Sequence, residues 1–138
     1  MVKPLSMKWL IPCLMILFLG CKKSNNYEPQ YYVKYVADGQ SSIQQAKPNG
    51  LKIFIDNENG TVTEFIRSNR GVNEFTIGPI KKGFISRVAV TNICAPLDCY
   101  IRPLLQIHIS QDNGPFVIKK EFISSQYSDN ASITYTIQ

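Results

Sequence analysis

The chain is short of the residues on which most enzyme chemistry and metal binding depend. It has one histidine and one tryptophan in 138 residues, and only 18% of its residues are charged. A single histidine excludes most histidine-based catalysis and multi-histidine metal sites. No Gly-x-Ser-x-Gly element or similar nucleophile motif is present. These shortages predict a non-catalytic protein with no metal and no organic cofactor. With 44% hydrophobic residues and a net charge of +5, the chain is nevertheless too apolar to be disordered.

The sequence also lacks an apolar run long enough to cross a bilayer as a helix. Its longest run, Trp9–Leu19, has 11 residues, whereas a transmembrane helix needs about 20. Lys3 and Lys8 precede this run, which has the length of the apolar region of a secretory signal. Residues 1–20 are therefore predicted to be a signal peptide. Either Met1 or Met7 would serve as its start, and the sequence leaves that choice open.

The end of the apolar run carries a resemblance to a known class of proteins. Residues 17–21, Leu-Phe-Leu-Gly-Cys, resemble a bacterial lipobox, at which signal peptidase II cleaves before a diacylglyceryl-modified cysteine. The resemblance implies cleavage between Gly20 and Cys21, and a membrane-lipid anchor of palmitate-type chains on Cys21. An ordinary signal peptide with an incidental cysteine and an uncleaved anchor are the alternatives.

The residues after Cys21 imply a location by the same resemblance. Lys22 and Lys23 stand where lipoproteins retained in the inner membrane of enteric bacteria have Asp. No acidic run like the surface-export signal of Bacteroidota follows. The resemblance therefore implies an outer-membrane anchor with the domain facing the periplasm. Without Lys3 and Lys8, 13 basic residues remain against 10 acidic ones, and this weak excess gives no indication of a nucleic-acid partner.

The remaining chain alternates between apolar and polar residues with a period of two. Residues 21–30 are polar and are predicted to be a lipidated flexible tether, and residues 31–138 are predicted to form one domain. Two examples of the alternation are the apolar sets Leu51, Ile53, Ile55 and Leu105, Ile107, Ile109. Turn-forming clusters such as 57–60, 78–79 and 112–115 separate the runs. Seven or eight such strands predict an all-β, immunoglobulin-like antiparallel β-sandwich, with a small barrel as the alternative.

Two cysteines remain once the signal peptide and Cys21 are set aside. Cys94 and Cys99 enclose a short segment that interrupts the strand pattern. In an oxidising envelope compartment, a disulfide closing this loop would stabilise the fold by about 2 kcal/mol. Free thiols, a redox dithiol and a metal pair are the alternatives, although zinc needs four ligands. The sequence favours a Cys94–Cys99 disulfide.

Three further groups of residues are candidates for a functional role. Four of the seven tyrosines lie within residues 27–35, so Tyr31, Tyr32 and Tyr35 form a candidate binding surface. Tyrosine also favours strands, and a structural role is the alternative. His108 is predicted to face outward from its strand. The oxygen-rich segment 56–60 lacks the spacing of a calcium-binding loop and is predicted to be a turn.

A second resemblance covers most of the predicted domain. Tyr32–Tyr35, Gly78–Gly83, Gly114–Val117 and Ser132–Ile137 resemble strand and turn motifs of small Bacteroidota lipoproteins, and their general shape is similar to the MmpS-like transport accessory domain. The resemblance bears on the fold. The anchor, the tether, the compact domain and the missing catalytic set together predict a non-catalytic binding or structural module that has an envelope protein as its partner. An accessory subunit of an envelope transporter is the alternative, and an envelope hydrolase has no motif in its favour.

Overall fold

The fold is taken from a computed structural model, which describes residues 27–39, 50–67, 71–93 and 101–138. All regular secondary structure in these four ranges is β-strand. Within the same ranges, no helix is long and apolar enough to cross a membrane.

Eight strands form two four-stranded sheets, and every pairing is antiparallel. One sheet has the order β4-β1-β6-β7 and the other has the order β3-β2-β5-β8. The predicted all-β antiparallel sandwich is thereby confirmed. The strands are β1 (Tyr31–Asp38), β2 (Gly50–Asp56), β3 (Val62–Arg67), β4 (Asn73–Ile80), β5 (Ile85–Ile93), β6 (Leu104–Gln111), β7 (Val117–Ile123) and β8 (Asn130–Thr136).

The immunoglobulin-like detail of the prediction is not confirmed. In the immunoglobulin order the first strand lies at the edge of its sheet. Here β1 lies in the interior of its sheet, hydrogen-bonded to both β4 and β6. The alternation of apolar and polar residues shows which face of a strand is buried, but it carries no information about which strands are neighbours.

The core lies between the inner faces of the two sheets. The two apolar sets named from the sequence, Leu51, Ile53, Ile55 and Leu105, Ile107, Ile109, are buried, and the residues between them are more exposed. Each fully buried aliphatic side chain stabilises the fold by about 1.5–3 kcal/mol. The other buried apolar residues are Tyr31, Val33, Tyr35, Val36, Ala37, Ile80, Val88, Val90, Ile101, Ile133 and Ile137.

The β6–β7 hairpin closes with a tight turn, as predicted, and two residues of the turn have the left-handed conformation. Asp112 and Asn113 have φ angles of 52° and 61°, and the Gly114 amide donates to the Gln111 carbonyl at 2.8 Å. Asp and Asn tolerate this conformation better than other residues that carry a Cβ. Gly114 is required for space instead, because a Cβ there would lie 2.9 Å from the Gln111 carbonyl oxygen.

The prediction of a turn at Gly78-Pro79 is wrong. Both residues lie inside β4, opposite an irregularity in the pairing with β1 between Tyr31 and Val33. Gly78 has a φ of 133°, and a Cβ on it would lie 2.9 Å from the Tyr31 carbonyl oxygen. Glycine is therefore needed here for close approach of two strands rather than for a change of chain direction.

Tyr35 connects the two sheets through the core. Its side chain is fully buried, and its hydroxyl donates to the backbone carbonyl of Asp56, at the end of β2, at 2.8 Å. The Asp56 carboxylate accepts from Arg87 Nε at 3.2 Å and Nη2 at 3.0 Å. Burial first, and the negative charge of Asp56 second, raise the pKa of Tyr35, so its hydroxyl stays protonated and remains a donor.

Removing the Tyr35 hydroxyl should weaken the fold without opening a large cavity. We expect Tyr35→Phe to lower the free energy of unfolding by about 1 kcal/mol, because one buried hydrogen bond is lost. Thermal denaturation should show this as a fall in Tm of about 4–8 °C. Tyr32→Phe is the matched control, since Tyr32 is half-buried on the outer face and its hydroxyl has no hydrogen bond within the described residues. Equal losses in the two variants would contradict the cross-sheet role.

Candidate functional site

The two sheets do not overlap fully at the edge where β7 in one sheet faces β8 in the other. Every residue of β7 is exposed. Val117 and Phe122 are in register with the core residues Ile109 and Leu105 and therefore lie on the inner face. They are nevertheless 50% and 40% exposed. The opposite sheet therefore does not reach far enough to cover the inner face of β7.

A cleft of about 400 Å³ lies at this edge, at the end of the sandwich that holds the β6–β7 turn. This volume is within the usual range of small-molecule sites, about 300–1,000 Å³. The walls combine two aromatic rings, several aliphatic side chains and one ammonium group. The principal lining residues are Tyr31, Ile109, Val117, Lys119, Tyr135 and Ile137.

The aromatic walls of the cleft are held by hydrogen bonds. The Tyr31 hydroxyl is 3.5 Å from the carbonyl oxygen of Gln138, which also lines the cleft. The backbone carbonyl of Tyr135 accepts from the hydroxyl of Ser86, a fully buried residue of β5, at 2.8 Å. Because Ser86 has no exposure to water, this bond fixes the end of β8 firmly against β5.

A β-bulge directs a lysine toward the cleft. Ile107 pairs with Lys120 and His108 pairs with Ile118, so Lys119 has no direct partner on β6. Lys119 lines the cleft. Neither Lys119 nor Lys120 takes part in an ion pair within the part of the chain that the structure describes. Lys119 is therefore the one charged side chain among the described lining residues, and it forms no ion pair with another described side chain.

The last residues of the predicted tether contact the domain beside this cleft. The Gln30 amide donates to Asp112 Oδ1 at 3.0 Å, and the Asp112 amide donates to the Gln30 carbonyl at 2.8 Å. Lys81 pairs with Glu28 at 3.2 Å. A hydrogen bond between Tyr27 and the Asp112 carboxylate raises the pKa of Tyr27 and lowers the pKa of Asp112. The chain thus enters the domain next to the cleft.

The structure corrects the tyrosine surface expected from the sequence. Tyr35 is fully buried and Tyr31 is 7% exposed, because β1 is an interior strand and both side chains lie on its inner face. Tyr32 is half-buried on the opposite face. The three residues therefore do not form one surface, although Tyr31 contributes to the cleft.

Sequence reasoning missed the contribution of β7. Its sequence, Val-Ile-Lys-Lys-Glu-Phe-Ile, places two adjacent lysines where an alternating strand has an inner and an outer residue. Adjacent lysines inside an apolar strand are typical of a bulged or protected edge. That break in the alternation is the feature of the sequence from which the bulge in β7 could have been predicted.

His108 lies on the outer face of its sheet, as the alternation predicts. It is half-buried, and its Nε2 is 2.9 Å from Gln106 Oε1. Burial first, and the charge of Lys34 second, lower the pKa of His108, so the ring is neutral at pH 7. The hydrogen bond to Gln106 holds the ring in place.

The oxygen-rich segment 56–60 is a turn, as predicted. Asn57 Oδ1 accepts from the Asn59 amide at 3.3 Å, from the Thr61 hydroxyl at 2.8 Å and from the Thr61 amide at 3.2 Å. The side chain of Asn57 thus takes the place of a backbone acceptor, in the manner of an Asx turn. Among the residues in the four described ranges, no group of three or more His, Cys, Asp or Glu side chains is placed to hold a metal ion.

Four predicted site residues, Gly20, Cys21, Cys94 and Cys99, lie outside the described residues. Lipid attachment and the disulfide therefore stay predictions. A scan against protein-family models, a search of curated proteins and a search of solved structures each returned no match.

The two lysines of β7 should protect its free edge from association with other sheets. Inward-pointing charges and bulges are common devices against edge-to-edge pairing. We expect Lys119→Val/Lys120→Val to self-associate in sedimentation velocity at concentrations where the wild type does not change. Lys81→Val/Lys82→Val, which removes the same charge from the β4–β5 turn, is the control. Unchanged sedimentation of the β7 variant would refute the protective role.

The contact between residues 27–30 and the domain should depend on the charge of Asp112. Because the pKa of Asp112 is lowered in the folded protein, its contribution is present at neutral pH and is lost as the pH falls below about 3.8. Asp112→Asn keeps the shape of the side chain and removes the charge at every pH. Hydrogen exchange at the Gln30 amide should therefore be faster in this variant at pH 7, but not in Glu58→Gln. Equal exchange rates in wild type and Asp112→Asn would argue against the contact.

Proposed function

We propose that the chain is a cell-envelope lipoprotein whose β-sandwich is a non-catalytic binding module, with its ligand site in the cleft between β7 and β8. The observation that carries the proposal is the cleft itself, in which Tyr31, Tyr135 and Lys119 converge at an edge that the fold leaves uncovered. Apolar walls with a few placed polar groups are typical of small-molecule sites.

The sequence supports the membrane anchor, and the fold shows where the chain leading from it enters the domain. The Leu-Phe-Leu-Gly-Cys pattern at residues 17–21 supports lipidation of Cys21. The contacts of Glu28 and Gln30 place the start of the domain at one defined end of the sandwich. Lys22 and Lys23 support an outer-membrane anchor facing the periplasm, by the resemblance given above.

Metabolic labelling with a clickable palmitate analogue tests the anchor. We expect the wild type to be labelled and Cys21→Ser to be unlabelled. Cys13→Ser is the matched control, because Cys13 lies in the apolar region of the signal peptide, and it should be labelled like the wild type. A wild type that takes up no label would end the lipoprotein proposal.

A thermal-shift screen of small molecules tests the cleft. Val117→Trp should fill the cleft and abolish the stabilisation that ligands give to the wild type. Val62→Trp is the control, since Val62 begins the edge strand β3 and is 49% exposed, close to the 50% of Val117. Ligands that stabilise the Val117→Trp variant as strongly as the wild type would show that the site lies elsewhere.

We also propose a disulfide between Cys94 and Cys99. The segment that contains them joins β5 to Ile101, which is held independently by two backbone hydrogen bonds to Ser128, at 2.9 and 3.0 Å. The hydrogen bonds between Ile101 and Ser128 and the packing of the core do not depend on the cysteines. Reduction of the disulfide should therefore lower the Tm by only a few degrees. Mass spectrometry that finds both thiols alkylated before reduction would contradict the disulfide.

A further inference from the structure

We infer that the cleft between β7 and β8 takes a single-chain anionic amphiphile, a molecule with one acidic headgroup and one apolar chain, from the membrane to which the domain is tethered. The ligand chemistry follows from the cleft alone. The membrane as its source rests on the proposed lipid anchor.

The position of the cleft relative to the anchor is limited by chain length. Tyr31 and Gln111 are paired across β1 and β6, and both line the cleft. The hydrogen bonds between Gln30 and Asp112 fix the chain at this point. Cys21 precedes Tyr27 by six residues, which span about 20 Å at most when fully extended. The end of the domain that contains the cleft therefore stays close to the bilayer surface.

The charge of the cleft selects an acidic headgroup. Lys119 has no ion-pair partner within the described residues. Asp112, on the adjoining turn, accepts hydrogen bonds from the Gln30 amide and from Gln111 Nε2, at 3.0 and 3.2 Å, and forms no ion pair with Lys119. Glu121 is bonded to Gln106 on the outer face of the sheet. An anionic ligand would therefore gain an attraction to Lys119 that no described side chain already satisfies.

The shape and lining of the cleft suit an apolar chain. Ile109, Val117 and Ile137 supply aliphatic surface, and Tyr31 and Tyr135 supply flat aromatic surface. Burial of that apolar surface on both molecules would drive binding.

An extended peptide that adds a strand to β7 is the main competing occupant. Strand addition needs a regular free edge. The bulge at Lys119 and the two inward-directed lysines interrupt that edge. The geometry therefore favours a chain lying in the cleft over a strand paired along its rim.

Photo-crosslinking of the mature, lipidated protein in phosphatidylcholine nanodiscs tests the inference. The probe is a long-chain fatty acid with a diazirine in its chain. The comparison probe has the same chain and a quaternary ammonium headgroup. We expect the acid to label residues of the 109–119 and 131–138 segments saturably, and the cationic probe to label them at least tenfold less. Lys119→Glu should weaken labelling by the acid about tenfold, whereas Lys82→Glu, an equal charge change on the β4–β5 turn, should leave it unchanged.

The other outcomes overturn the inference in distinguishable ways. Equal labelling by both probes, lost in Val117→Trp, would show a cleft that binds apolar chains without charge selection, and would leave the proposed binding function intact. Labelling spread over exposed residues of other strands, or none at all, would contradict the cleft as the site. If the wild type is labelled by the palmitate analogue and Cys21→Ser is not, the anchor proposal stands whichever of these outcomes is observed.

Discussion

The incomplete overlap of the two sheets leaves apolar surface uncovered along β7, and the proposed ligand site depends on that surface. Seven strands bury at least part of one face, but β7 leaves every residue exposed, including Val117 and Phe122 on its inner side. A sandwich needs its apolar faces covered, and here the opposite sheet leaves the inner face of β7 uncovered. The cleft at the β7–β8 edge follows directly from that mismatch, and so does the need for lysines that keep the edge from pairing with other sheets.

The remainder of the sandwich is held firmly enough to keep this edge in place. Tyr35 joins the sheets through the core, and Tyr31, four residues earlier on the same face of β1, forms part of the cleft wall. The wall on the other side is fixed through the hydrogen bond from Ser86 to Tyr135. Because its walls are attached in this way to buried residues, the proposed site would be largely formed before a ligand arrives, which would lower the entropy lost on binding.

The sequence predicted strands and buried faces better than it predicted neighbours. The alternation of Leu51, Ile53 and Ile55 identified an inner face correctly, because period two is a local property of one strand. The interior position of β1 was not predictable in the same way, since strand order depends on contacts far apart in the chain. For that reason the tyrosine-rich strand was expected to be a surface, whereas it is an interior strand of its sheet and two of its tyrosines are buried. The prediction of a turn at Gly78-Pro79 was wrong for a similar reason. Glycine is needed at position 78 because the backbone there lies close to Tyr31, and such a contact between distant parts of the chain cannot be read from the local sequence.

A crystal structure of the mature protein with a long-chain fatty acid would test the central claim most directly. We expect an alkyl chain between Tyr31 and Tyr135, with the carboxylate within about 4 Å of Lys119 Nζ, the usual limit of an ion pair. An alkyl chain bound on the outer face of either sheet, or a carboxylate directed away from Lys119, would contradict it.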